Sequence, residues 1–387
     1  METTGKRLRI AVLNRVFSPT AGGAERYSMA LVEQLAQRHE IHVFAQRIEH
    51  HRCGVIYHRV SSPLSRSRWL NQLWYATATW WATRRGFDVV HSHENTWHGQ
   101  VQTVHVLPVK FNLFHHRAGF RRALRWLKVL TSARLLAYLW LERLRFSRSG
   151  SRCFVLASEG LSAQMIEAYP DTASALRVVT PGVIMVNGRA TREQQFAARQ
   201  GLGLPASGHG ILFVGNDYRK KGLDALISGL ALLRDDTWLA VVGNTSKKAE
   251  FRQLAINAGV EGRIYFLGTL KEVNDAYVAC DCLAHPSLED TFAMVVLEAM
   301  AHGLPVVVSG ARYCGISRLL IDETDALILS QPRDSNALAS ALRRVLQEPS
   351  LNRALSERGL AFAARHLWSD SALQQETIYF SVLERSA

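Results

Sequence analysis

Two carboxylates eight residues apart stand where one apolar run ends and the next begins. In Pro286-Ser-Leu-Glu289-Asp290-Thr-Phe292-Ala293-Met294-Val-Val-Leu-Glu298-Ala-Met300, a buried-strand pattern gives way to a loop holding Asp290. An apolar-faced helix carrying Glu298 follows. Eight residues is a little over two helical turns. With the helix starting near Phe292, Asp290 lies in the loop ahead of its N-terminus. The amides of Phe292, Ala293 and Met294 then point at whatever the loop binds. An N-capping acid followed by a surface glutamate would have the same spacing. The turn and strand directly behind the helix, Ala301-His-Gly-Leu-Pro305-Val-Val-Val-Ser309, favour the functional reading.

A second segment suits a diphosphate. Val214-Gly215-Asn-Asp-Tyr-Arg219-Lys220-Lys221-Gly222-Leu223 reads as a strand end, a loop and a helix start, with three consecutive cations at the strand's C-terminal end. A solvated basic turn is the alternative. Near the N-terminus, Ala21-Gly22-Gly23-Ala-Glu25-Arg26 forms a turn where backbone can approach a ligand, ahead of a helix over 24–38. An ordinary strand-to-helix turn would look alike. Val101-Gln-Thr-Val-His105 ends a strand in an imidazole, and His91 and His93 compete for the same role. No Asp-x-Asp triplet of the metal-binding kind occurs anywhere.

These residues need a scaffold, and the pattern supplies one. Leu8–Leu13, Ile41–Ala45, Val55–Val60, Phe87–His91, Val101–His105, Cys153–Ala157 and Leu176–Val179 read as strands, and 24–38 and Trp69–Thr83 as helices between them. One long helical stretch, Phe120–Ser147, interrupts the rhythm. Thr180-Pro-Gly-Val183, Asn187-Gly188 and the polar Thr191–Gln200 read as a junction and linker. A second series runs through Ile211–Gly215, Trp238–Gly243, Ile264–Leu267, Cys282–His285 and Pro305–Ser309, then helices over Asp334–Gln347, Leu351–His366 and Ser371–Glu384. The expectation is an α/β chain of two Rossmann-like domains, 1–186 and 205–368, with a terminal helix over 369–387. A ligand belongs in the cleft between their strand C-terminal ends.

Charge divides the chain. Residues 1–186 hold 25 basic and 11 acidic side chains, and residues 187–387 hold 21 and 22. A basic first half implies an anionic partner. Five cysteines, with Cys280-x-Cys282 lacking a second pair, imply reduced thiols rather than a disulfide framework or zinc site. With no signal-peptide core or spanning apolar run to be read, the expectation is a chain in solution or on a membrane surface.

The motifs together resemble a known family. Acid-x7-Glu, then Glu-Ala-Met-Ala and Gly-Leu-Pro-Val-Val, is similar to the retaining GT-B glycosyltransferases of the family-4 type, which use nucleotide-sugar donors. The usual first acid is Glu. Here Asp290 takes that register and Glu289 precedes it. The resemblance implies that Lys221, with Lys220 beside it, binds the diphosphate and offsets leaving-group charge. Asp290 would contact the sugar, with Phe292, Ala293, Met294, Glu298, Gly22 and Gly23 also facing the donor. His105 would be the first domain's catalytic imidazole. The terminal segment from Trp368-Ser-Asp370 would cross back onto the first domain. The resemblance implies metal-independent catalysis, no cofactor and a UDP-sugar donor. Chain length and Gly-Asn-Asp-Tyr-Arg-Lys-Lys-Gly look closer to lipopolysaccharide core glucosyltransferases than to the glycogen, starch and sucrose synthases that share the fold. These imply a lipid-linked or glycolipid acceptor and a peripheral place on the cytoplasmic face of the membrane.

The stretch from 117 to 148 supports that placement. It holds nine cations (Arg117, Arg121, Arg122, Arg125, Lys128, Arg134, Arg143, Arg145 and Arg148) against one acid, Glu142, with Phe120, Trp126, Leu130 and Trp140 interleaved. That is the composition of an interfacial helix, with Arg121, Arg122, Arg125, Trp126 and Lys128 contacting anionic headgroups. A nucleotide-sugar epimerase, or another double-Rossmann nucleotide binder, is the alternative, but no GxGxxG follows the first strand. A nucleic-acid partner is not expected, because it leaves the acid-x7-Glu and Lys-Lys-Gly segments without a role.

Overall fold

A computed structural model describes residues 6–19, 22–115, 117–147, 152–186 and 188–385. Ala21, Asn187 and Arg148, which the sequence reading drew on, lie outside them. The chain forms two compact units, Met1–Thr180 with Trp368–Ala387, and Pro181–Leu367.

In order, the first unit comprises β1 (Arg9–Leu13), β2 (Val16–Phe17), α1 (Gly23–Leu35), β3 (Glu40–Ala45), β4 (Arg47–Ile48), β5 (Val55–Arg59) and α2 (Arg68–Thr83). It continues through β6 (Val89–Ser92), β7 (Val101–Val104), α3 (Val109–Phe114), α4 (Gly119–Leu130), α5 (Ala133–Arg145), β8 (Cys153–Leu156), α6 (Gly160–Ala168) and β9 (Leu176–Val178). The second comprises α7 (Arg192–Gly201), β10 (His209–Val214), α8 (Leu223–Leu230), β11 (Thr237–Val242), α9 (Lys248–Asn257), β12 (Ile264–Gly268), α10 (Asn274–Ala279) and β13 (Cys282–His285). After these come α11 (Met294–Ala301), β14 (Val306–Ser309), β15 (Leu327–Leu329), α12 (Ser335–Gln347) and α13 (Pro349–Ala363). The last helix, α14 (Trp368–Glu384), belongs to the first unit.

Each unit is built on a parallel sheet, ordered β5-β3-β1-β6-β7-β8-β9 in the first and β12-β11-β10-β13-β14-β15 in the second. Both are doubly wound, and the chain reverses direction across the sheet between β1 and β6 and between β10 and β13. Helices cover both faces, so strands such as Ile211-Leu-Phe-Val214 are apolar throughout. Alternate residues serve opposite faces. Leu212, Val214, Ala240 and Val242 pack with α10 and α11, while Ile211, Phe213, Leu239 and Val241 pack with α8 and α12.

The terminal helix α14 is fastened to the first unit by polar contacts as well as packing. Glu376 meets His39 at 2.7 Å, the Tyr379 hydroxyl lies 2.7 Å from Nδ1 of His91, and the Trp368 ring stands edge-on to Tyr27.

The structure corrects two expectations. The single helix over 120–147 is two helices, α4 and α5. Thr131 returns its hydroxyl to the Leu127 carbonyl at 3.1 Å, and Ser132 adopts extended backbone with its Oγ accepting from the Leu135 amide. Mid-helix hydroxyls compete for the backbone groups that would continue the helix. The polar stretch 191–200 is no linker but helix α7, opened by a Thr191–Gln194 capping box. Its Arg199, only 5% exposed, donates to the Ala279 carbonyl and to Asp281 and ties α7 to α10. Outside the sequence reading were β15, α3, α6 and the small β2–β4 ribbon.

Candidate functional site

In the second unit the two singled-out segments follow β10 and β13, the strands that flank the reversal, and they touch. The Leu288 amide donates to the Lys220 carbonyl at 2.7 Å. Gly222 has φ +77°, and a Cβ there would lie 2.0 Å from the Pro286 carbonyl oxygen, so only glycine lets the loops approach. A Cβ on Gly215 would lie 2.8 Å from Cγ of Lys221. The Lys221 stem therefore rests on Gly215 and leads its ammonium to Asp290.

Three side chains converge there. Nζ of Lys221 is 2.5 Å from Oδ2 of Asp290, and Nε2 of His285 is 3.0 Å from the same oxygen. The other oxygen, Oδ1, accepts from the Phe292 amide at 3.3 Å. Burial alone would raise the Asp290 pKa, but the His285 hydrogen bond and the Lys221 charge outweigh it and hold the carboxyl well below its usual range. Burial lowers the pKa of His285, which keeps it neutral, so Nε2–H donates to Asp290. Its Nδ1 is buried without a hydrogen-bond partner. Lys220 and Glu289 form a separate, exposed pair, with both carboxylate oxygens 3.0 Å from Nζ. Of the two neighbouring acids, Asp290 is thus the one in the part-buried cluster.

The expected helix start at Phe292 is displaced. α11 begins at Met294, and the Phe292 amide is spent on Asp290 instead of facing a ligand. Ala293 sits between them at φ +72° and ψ +68°, a left-handed conformation that costs a residue with a Cβ. Glu298, on α11, accepts from the Tyr277 hydroxyl at 2.7 Å, and the Tyr277 ring stacks on His302. His285 and Tyr277 were not expected. His285 is the last residue of its strand, and a lone strand-terminal histidine has no spacing signal.

In the first unit the segments after β1 and β6 also meet. Arg15 binds Glu94 through its backbone amide and its Nε, at 3.1 and 3.0 Å. Glu25, in the first turn of α1, has a pKa raised by burial and by the nearby Glu94 charge. Gly22 has φ −74°, and a Cβ there would come 2.9 Å from Oε2 of Glu25. Gly23 has open space around it.

The three histidines separate clearly. His91 is fully buried between the Tyr379 hydroxyl and the Thr103 hydroxyl, the latter 2.6 Å from Nε2. His105, just past β7, holds Nε2 2.9 Å from Nδ1 of His93, and the Tyr27 ring stands edge-on to it. Burial, assisted by the Arg145 charge, lowers the His105 pKa to about 3. The imidazole is therefore neutral.

The basic stretch divides by environment. On α4, Arg121, Arg122, Trp126 and Lys128 are exposed and Arg125 is half-buried. Phe120, Leu124 and Leu127, at helical spacing, present an exposed apolar face, and Val129 alone of α4 is buried. Two expected surface charges are instead internal. Arg145 is buried and donates to Gln102 and the Thr103 carbonyl. Glu142 is buried and accepts from the amides of Val109 and Lys110, capping α3. No helix among the described residues is long and apolar enough to cross a membrane.

Both units match family models of glycosyl transferases. Residues 21–185 match the family model Glycosyltransferase Family 4, and residues 194–361 match Glycosyl transferases group 1. By these two domains the chain belongs to the GT-B glycosyltransferases of the family-4 type. The lipopolysaccharide glucosyltransferase WaaG of Escherichia coli (strain K12) is 28% identical over 240 residues, 60% of this chain, and the match spans 63% of that relative's length. A crystal structure of WaaG, a glycosyltransferase involved in lipopolysaccharide biosynthesis, aligns over 96% of this chain and 99% of its own with TM-score 0.81 at 21% identity. Anabaena HepE, solved with UDP and glucose, aligns over 97% of this chain and 100% of its own with TM-score 0.77 at 17% identity. At such identities the structural likeness establishes the fold.

Proposed function

We propose that this chain is a retaining, metal-independent hexosyltransferase that takes a sugar from a UDP-sugar and passes it to a lipid-linked or glycolipid acceptor at a membrane. The observation that carries the reading is the Lys221–Asp290–His285 cluster at the strand reversal of the second unit. The leaving group of sugar transfer is a nucleoside diphosphate, and its departure builds negative charge. A lysine at a strand's C-terminal end stabilises that charge where it develops. In the donor-free protein, Asp290 holds the ammonium at this place. When the diphosphate engages Lys221, Asp290 becomes available to accept from a sugar hydroxyl, and His285 still holds its orientation. Glu298 binds donor hydroxyls, with Tyr277 orienting its carboxylate. His105 is the imidazole offered by the first unit.

UDP is the favoured nucleotide because HepE was solved with UDP, and a lipopolysaccharide-like acceptor is favoured by the relationship to WaaG. The membrane contact rests on α4, where Arg121, Arg125 and Lys128 lie on one side and Phe120, Leu124 and Leu127 on another.

Thermal-shift screening across UDP, GDP and ADP sugars tests the donor. A ligand that binds only the folded state raises the melting temperature, by about 2.7 kcal/mol of stabilisation at a hundredfold excess over Kd. The UDP-sugar should respond, and a response confined to GDP- or ADP-sugars would overturn the assignment. Changing Arg121, Arg122, Arg125 and Lys128 together to Glu should release the protein from anionic vesicles without altering that shift. Full retention would remove α4 from the membrane contact.

A further inference from the structure

Helix α2 is built inside out. Its face toward the sheet carries Gln72, Tyr75, Thr79 and Thr83, each less than 5% exposed. Their polar atoms are satisfied internally. The Thr79 and Thr83 hydroxyls donate to the carbonyls of Tyr75 and Thr79, the Tyr75 hydroxyl to Phe44, and the Gln72 amide to Asn95. The outer face carries Trp74, Trp80 and Trp81, exposed by 39, 38 and 55%. On an ordinary surface helix the large apolar side chains point the other way.

Along the sequence on either side of α2 the charges have one sign. From His50 to Phe87 the chain holds six arginines (52, 59, 66, 68, 84 and 85) and no aspartate or glutamate. The Arg84 guanidinium sits 3.9 Å from the Trp81 ring centroid, and Trp80 stands edge-on to Trp81. Tryptophan at the level of a guanidinium is suited to the boundary between acyl chains and phosphates, where the ring lies in the apolar zone and the cation meets phosphate. α5 packs on both α2 and α4, and its Trp140 is exposed beside Trp97. The aromatic surface therefore continues from α2 through α5.

We propose that the Trp80–Trp81–Arg84–Arg85 end of α2 is a second membrane-contact element that docks on anionic phospholipid headgroups. This rests on the membrane reading of α4 given above, but uses different residues. Two attachment points on one rigid unit fix its orientation on the lipid surface, which one amphipathic helix cannot do.

The test compares the full chain, a Trp80→Ser/Trp81→Ser variant, an Arg84→Glu/Arg85→Glu variant and the fourfold α4 reversal. Each is measured by flotation with phosphatidylcholine vesicles, with and without phosphatidylglycerol, and by quenching of tryptophan fluorescence with brominated lipid. Each α2 variant should weaken binding to the anionic vesicles by about tenfold, and the tryptophan variant should also lose quenching. Their thermal shift with UDP-sugar should match that of the unaltered chain. Unchanged affinity and quenching in both α2 variants, with binding lost in the α4 reversal, would overturn the proposal and leave α4 as the contact. Loss of binding in the α2 variants but not in the α4 reversal would instead uphold α2 and overturn α4. Failure of the unaltered chain to bind would overturn both. If light scattering found self-association that disappears in the tryptophan variant while vesicle binding persists, the face would be a contact between copies, and the proposal would fall.

Discussion

Lys221 and His285 share a single oxygen. Both reach Oδ2 of Asp290, the ammonium at 2.5 Å and the neutral imidazole at 3.0 Å, from loop and strand positions 64 residues apart in the chain. The carboxylate so held is separate from the exposed Lys220–Glu289 pair. Its charge is fixed before any ligand arrives.

Lys221 is expected to act on the leaving group. Lys221→Ala should lower kcat by on the order of 10²-fold, the usual scale for removing one stabiliser of developing charge. Steady-state transfer assays measure this, and near-normal turnover would take Lys221 out of the mechanism.

The acids should divide their effects. Asp290→Asn is expected to lower kcat, and Glu298→Ala mainly to raise the donor KM. Glu289→Gln should be nearly silent because its partner Lys220 is exposed. A damaging Glu289→Gln beside a silent Asp290→Asn would shift the working acid by one residue. EDTA should leave transfer intact, and activity lost to EDTA and restored by Mg²⁺ or Mn²⁺ would refute the metal-independent reading.

Ala293 holds a left-handed conformation with a Cβ. Ala293→Gly removes that strain while giving the unfolded chain more freedom, for a net gain of about 0.5–1 kcal/mol. Denaturant unfolding should show the midpoint rising. A drop would mean that the buried methyl contributes more by packing than the backbone loses by strain.

His91 makes stability depend on pH. Burial, with the Arg145 charge adding to it, lowers its folded pKa to about 3, while the unfolded value is about 6.5. The folded state thus binds fewer protons between these values. Stability is complete above about pH 6.5 and falls as pH drops toward 3, by about 2 kcal/mol from this residue between pH 6.5 and 5. His91→Asn should flatten the dependence of the denaturation midpoint on pH over that window. Identical slopes in the two proteins would contradict the assignment.

What could be seen in advance follows from what each residue contributes to a pattern. Strands covered on both faces are unbroken apolar runs, so both sheets were visible, and Lys221 and Asp290 stood in motifs. Buried polar residues break that logic. Arg145 looked like one more cation in a basic run, although its partners Gln102 and Thr103 lie more than 40 residues away. Thr131 and Ser132 resemble ordinary helix surface until their hydroxyls turn on the backbone. The polarity of α7 suggested solvent because its anchor, Arg199, is itself charged. α2 was visible as a helix, but its orientation depended on threonine hydroxyls returning to their own helix.

The placement of α14 has a consequence for synthesis. Residues 1–180 emerge first, yet Glu376 and Tyr379, the partners of His39 and His91, are encoded some 200 residues later. At about 5–20 residues per second, the wait is tens of seconds. The contiguous second unit is therefore fully translated before the first unit has all its parts. A nascent chain meanwhile carries the unclad flank of α1, with Nδ1 of His91 lacking its Tyr379 partner and His39 its Glu376, a surface for chaperones to shield until α14 is made.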